Sequence, residues 1–172
     1  MGDGHEAHDG GSHGDSGLAG VVHLAADGTQ EANERWHAPL RRVLAAEVTR
    51  STAQTSGMDR REAISGKTVG SEKLWMGETH VAPATNSGDH HHGEAETAIY
   101  VVSGHPRFVF ADGAEEVVLE TGPGDYVFVP PYTPHREENP SSDTPAVVVI
   151  ARSTQEGIVV NLPSLWAQDP AS

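Results

Sequence analysis

His90-His91-His92-Gly93-Glu94-Ala95-Glu96, followed about forty residues later by Pro130-Pro131-Tyr132-Thr133-Pro134-His135, decides how this chain is read. Side chains alternate between the two faces of a strand, so His90 and His92 share one face and His91 takes the other. Two imidazoles can then converge on one ion, and His135 supplies a third from a different strand edge. The pair of segments reads as a metal site in a small β-barrel.

Outward from that centre, the rest of the chain sets limits. With 172 residues there is material for one domain, and with no cysteine there is no disulfide, thiolate zinc site or cysteine nucleophile. Histidine and carboxylate remain as metal ligands. A formal charge of -14 repels phosphate backbones and anionic lipid, which argues against nucleic acid and membrane as partners. No apolar run approaches the roughly 20 residues that span a bilayer, and a soluble, cytoplasmic protein is the expectation. Residues 1–35 are expected to form a disordered tail rich in His, Gly and Asp, because such a composition buries too little apolar area to offset its ordering entropy. His5, His8 and His13 could hold divalent ions loosely there. Residues 36–70 read as an extension. From Glu31 to Val48, Leu40, Val43, Leu44 and Val48 fit one face of a helix, with Pro39 near its start, or alternatively Arg42-Val43-Leu44 forms an edge strand.

From Leu74 onward the pattern becomes β. Short strands are expected at 73–81, 97–103, 106–111, 115–120, 126–129, 146–152 and 158–162, with turns at Asp112-Gly113, Gly122-Pro123-Gly124 and Asn139-Pro140. Many short strands without intervening helices imply a sandwich or closed barrel over residues 71–162, with 163–172 as a C-terminal tail. Trp166 in that tail is expected to pack on its own barrel or on a dimer partner.

Two motifs carry a resemblance. Gly124, Pro130, His135 and Asn139 fall at the intervals of the second cupin motif, with Tyr132 where glycine is usual. His90, His92, Glu96 and Gly104 are similar to the first, with Ala84 in place of its leading glycine and Thr97 in the position that usually carries the acid. The chain therefore resembles the cupins from about residue 70 to 152. The resemblance implies an all-β, double-stranded β-helix or jelly-roll barrel of two facing sheets, a homodimer, and one divalent ion on His90, His92, Glu96 and His135. Either a local bulge turns Glu96 inward, or three histidines and water hold the ion.

Strand 73–81 divides Met76, Glu78 and His80 from Trp75, Thr79 and Val81. If Glu78 and His80 face inward they are candidates for a supporting contact or a general base; if outward, they are surface groups and Trp75 packs the core. Ala98, Tyr100, Val102, Phe108, Phe110, Val127 or Phe128, and Val148 are expected to line the interior, suiting an apolar or aromatic small molecule. The donor set suits Fe, Mn, Ni, Co or Zn without choosing among them. The expected function is a metal-dependent enzyme on a small organic, aromatic or keto-acid substrate, with dioxygenase-like oxidation placed first. The alternatives are cyclase, isomerase or lyase chemistry, or a non-catalytic sensor barrel.

Overall fold

The computed structural model describes residues 39–52, 54–155 and 158–167. Contacts divide the chain into Met1–Pro39 and Leu40–Ser172, and all but Pro39 of the first unit, including His5, His8 and His13, lies outside the described residues. The second unit is built from two antiparallel sheets.

The first sheet contains β1 (Met58–Ile64), β2 (Trp75–Val81), β5 (Thr97–Ser103), β8 (Tyr126–Val129) and β10 (Ala146–Arg152), in the order β1-β2-β10-β5-β8. The second contains β4 (His90–His91), β6 (Arg107–Asp112), β7 (Glu115–Glu120), β9 (His135–Asn139) and β11 (Val160–Asn161), in the order β11-β4-β9-β6-β7, and β3 (Thr85–Asn86) also pairs with β9. Period-2 alternation is strict along β2 and β10, where every second residue from Trp75 and from Ala146 is buried. One buried face per sheet gives a core of Trp75, Ile99, Val101, Phe108, Val129, Val148 and Ile150, with Val127 packed against it.

The parity of three strands decides what reaches the interior. On β2, Trp75 is 3 % exposed and lies inside, so Met76, Glu78 and His80 lie on the outer face. There Glu78 bonds His80 at 3.0 Å and Arg61 at 3.4 Å, away from the barrel interior. On β5, Thr97, Ile99 and Val101 point inward. Ala98, Tyr100 and Val102, expected inside, are therefore outside, and Tyr100 stacks on Tyr126 of the neighbouring strand at 4.8 Å. On β1, Met58, Arg60 and Glu62 are buried.

β1 pairs with β2 along its length, so the sheet begins upstream of the expected barrel start at residue 71. Residues 31–38 of the expected helix lie outside the described residues, and 40–48 are not α-helical. A single 3-10 turn, Ala45–Glu47, leads into a bridge between Thr49 and Glu62, and Leu40 and Leu44 are exposed. At the other end Leu165 is buried and the Trp166 indole N–H donates to the Gly113 carbonyl at 2.8 Å, fastening this segment to the β6–β7 hairpin. Among the described residues no helix is long and apolar enough to cross a membrane.

Candidate metal centre

β4 and β9 are neighbours, with His90 directly opposite His135. Parity along β9 then puts Glu137 on the same face as His135. His92 follows just beyond β4, and the four side chains His90, His92, His135 and Glu137 are all buried, with a donor atom from each lying within 4.8 Å of the others. The imidazole centroids are 4.4 to 5.1 Å apart. Arg136, on the opposite face of β9, bonds Asp89 at 3.1 Å and Glu116 at 2.8 Å, which ties β4 and β7 to the strand that carries two of the four donors.

The hydrogen bonds select the tautomers. His90 Nδ1 lies 3.0 Å from the Gly88 carbonyl and His135 Nδ1 lies 2.9 Å from the Thr133 carbonyl. A carbonyl only accepts, so both Nδ1 atoms carry the proton and both Nε2 atoms present a lone pair. His135 Nε2 is buried without a hydrogen-bond partner, and His90 Nε2 sits 3.2 Å from His92 Nε2. His92 Nδ1 contacts Thr97 Oγ1 at 2.9 Å, and the hydroxyl can accept from it. The His90 and His135 lone pairs converge in a dry interior, where a cation between them is favoured, and the Arg152 guanidinium already reaches His92 Nε2 at 3.4 Å. These residues can hold a divalent ion, and Gly88, Thr133 and Thr97 are the supports that aim the rings.

Burial keeps the His90 and His92 imidazoles neutral, as ligation requires. It lowers His90 to about 4, against an opposing pull from the Glu137 carboxylate. Burial, and after it the Arg152 guanidinium, holds His92 far below the ordinary imidazole range.

The carboxylate of this cluster is Glu137, not Glu96. Glu96 is exposed, its N–H donates to Ser153 Oγ and its carbonyl accepts the Ser153 N–H. No bulge turns it inward, and Thr97, 0 % exposed, takes the inward position as support for His92. The signal for Glu137 was present in the sequence: His135 and Glu137 stand two apart, the same spacing as His90 and His92. His91 is buried but faces elsewhere, its Nδ1 accepting the Gly93 N–H at 2.9 Å. Glu78 and His80, on the outer face of β2, are not brought to the cluster. A cavity of about 240 Å³ lined by Phe108, Phe110, Leu119, Val127 and Phe128 ends on His135.

The family model described as a cupin domain matches residues 77–151. No curated protein matches. Among solved structures, the polyketide cyclase RemF from Streptomyces resistomycificus is similar at 23 % identity and a TM-score of 0.60, covering 77 % of this chain and 90 % of its own. Oxalate decarboxylase from Bacillus subtilis is similar at 23 % identity and a TM-score of 0.56 over 65 % of this chain, which spans only 29 % of the decarboxylase. Peruvianin-I, a cysteine peptidase from Thevetia peruviana latex, is similar at 14 % identity and a TM-score of 0.55, covering 66 % of this chain and 72 % of its own. All three likenesses are under 25 % identical and are likenesses of fold.

Proposed function

We propose, from the match of residues 77–151 to the cupin domain model, that this chain is a metal-dependent enzyme that holds one divalent ion on His90, His92, His135 and Glu137 and acts there on a small organic molecule. The observation that carries the reading is the convergence of the three histidines, with the His90 and His135 tautomers set by backbone carbonyls, on a buried carboxylate. A bound Fe, Mn, Ni, Co or Zn ion would supply Lewis-acid polarisation of a substrate oxygen. Phe108 and Phe110 receive an apolar body beside His135. Thr97 holds the His92 ring in register. Glu137 offsets part of the ion's charge, which a shell of three neutral histidines does not.

We place cyclase or lyase chemistry first, since polarising and positioning one substrate is what this site is equipped to do, and since the structures of like fold include a polyketide cyclase and a decarboxylase. The dioxygenase reading rests on the same thiolate-free donor set, which also suits Fe(II). Elemental analysis of protein purified without added metal tests the ion: about one per chain is expected, lost in His92→Ala. Equal metal in parent and variant would overturn the site. Product analysis and O₂ uptake, with aryl keto acids supplied to metal-loaded and stripped protein, separate the chemistries. O₂ uptake coupled to substrate loss would favour the oxygenase; binding without turnover would leave a sensor. Self-association would take the form of a homodimer covering Tyr126 and Phe128, 79 % and 60 % exposed near the free edge of the first sheet, and light scattering of the purified chain reads it directly.

A further inference from the structure

Arg60 on β1 and Arg152 on β10 are each only 4 % exposed. Among the described residues neither forms an ion pair. Arg60 donates to Thr55 Oγ1 at 2.6 Å and contacts the Met58 sulfur at 3.7 Å, and Arg152 lies over the Trp75 ring at 5.6 Å with Nη2 3.4 Å from His92 Nε2. Both Nε atoms are buried without a hydrogen-bond partner. The nearby carboxylate of Glu62 is not theirs, because its two oxygens accept from the Trp75 indole N–H and the Ser65 hydroxyl, each at 2.9 Å.

The Glu137 carboxylate acts on Arg152 from beyond ion-pair distance, and a buried guanidinium with no carboxylate in direct contact is still expensive, so that an apolar residue of like volume would serve packing better. The expense is explained by what else the interior must balance. With neutral histidines, the charges of Arg60 and Arg152 are matched by those of Glu62 and Glu137. A divalent ion on the histidine cluster then leaves two positive charges in excess within the barrel. Only an anion relieves that, and the guanidinium of Arg152 stands beside a ligand nitrogen where such an anion would meet the ion.

We propose that the substrate is an aryl carboxylate or a similarly apolar-bodied anion, its head group held between the metal ion and Arg152, with Arg60 adding charge from β1. This rests on the metal reading above. The body occupies the aromatic cavity that ends on His135. At about 240 Å³ the cavity is below the roughly 300 to 1,000 Å³ of drug-sized sites, which fits a single-ring molecule. Arg152 is the specificity-determining residue, because a charge-assisted contact is worth enough to reject a neutral analogue of the same shape.

The test uses the full chain loaded with Zn(II) and, as probes, benzoate, benzyl alcohol and acetate in calorimetric titrations. Benzoate is expected to bind at least about 10-fold more tightly than benzyl alcohol, a conservative reading of the roughly 1.5 to 3 kcal/mol of a hydrogen bond to a charged group. Acetate, lacking the ring, should be weaker than benzoate. Arg152→Gln should weaken benzoate at least about 10-fold while elemental analysis still finds one zinc per chain. Benzoate and benzyl alcohol binding equally, or an Arg152→Gln variant that binds benzoate like the parent, would overturn the proposal. If Arg152→Gln does not fold, the same comparison in Arg60→Gln and the charged-versus-neutral comparison in the parent decide it. Titration of benzoate into zinc-free protein separates the two readings: tight binding that depends on Arg152, in a chain that takes up no zinc, would keep the anion site and sink the metal site. No benzoate binding to a zinc-loaded chain would sink the anion site alone, and no binding with no zinc uptake would sink both.

Discussion

Ala84 and Tyr132 hold left-handed backbone, with φ of 50° and 59°, and both occupy positions where the two motifs usually place glycine. For an L-residue that conformation costs about 1 to 2 kcal/mol, and glycine returns about 0.5 to 1 of it through its freer unfolded chain. Ala84→Gly is therefore expected to raise stability by up to about 1 kcal/mol, read as a higher urea midpoint at unchanged slope. A lowered midpoint would show that the strain is relieved by the surroundings. Glu137 and Glu96 give a second contrast at this scale. Glu137→Ala should weaken metal binding by at least about 10-fold, the size of loss seen even for outer partners of a ligand, and Glu96→Ala should leave it unchanged. Competition with a chromogenic chelator reads both, and the reverse ranking would return the carboxylate role to Glu96. Residue types alone could not make this choice, since both acids lie near the histidines in the sequence and only strand parity separates them.

β9 does more than any other element. Its inward face carries His135, Glu137 and Asn139, and its outward face carries Arg136 and Glu138. Asn139, 1 % exposed, donates through Nδ2 to the carbonyls of Val81 and Ala82 at 3.2 Å and of Thr144 at 2.9 Å, joining the end of β9 to the end of β2 and to the approach to β10. The amide has two hydrogens for these three carbonyls, and only the Val81 contact is fully buried, so its removal leaves about two bonds unmade, each toward the low end of about 1 to 3 kcal/mol. Asn139→Ala should accordingly cost about 2 to 4 kcal/mol in urea unfolding, and a cost under about 1 would mean water replaces the amide. The sequence located β9 by its motif but not as a strand, because His135-Arg136-Glu137-Glu138-Asn139 is wholly polar and carries none of the apolar alternation by which β2 and β10 announce themselves. β5 shows the opposite failure. Its strand was legible, yet its parity was not, since Thr97-Ala98-Ile99-Tyr100-Val101-Val102 is apolar on both faces and either face could be the inner one.

For the whole molecule, the histidine cluster links folding to pH and to metal. His90 and His92 are held below the unfolded value of 6.5, His90 at about 4. Above pH 6.5 they are neutral in both states and the stability is fully present. As pH falls through 6.5 toward 4 the unfolded chain takes up protons that the fold refuses, so stability is lost, at roughly 1 kcal/mol per pH unit for each histidine. The metal-free protein should therefore melt at a lower temperature at pH 5 than at pH 7.5, and His90→Asn should flatten that slope. An ion held only by the fold adds about 2.7 kcal/mol at a concentration 100-fold above its Kd, so zinc should raise the melting temperature of the parent and not of His92→Ala. What the sequence determined by itself was local and periodic: the β class, the turns, and the three histidines, whose spacing within one strand and between two motifs is written in the order of residues. What only the tertiary structure decided was which face each strand turns inward and which strands meet. That choice belongs to the packing of Trp75, Ile99 and Ile150 against the opposite sheet. It swung Thr97 in and Glu96 out, brought Glu137 to the histidines, and carried Arg60, from a segment read as an extension, into the barrel, because a side chain two strands away is fixed by the register of the sheets and not by its place in the chain.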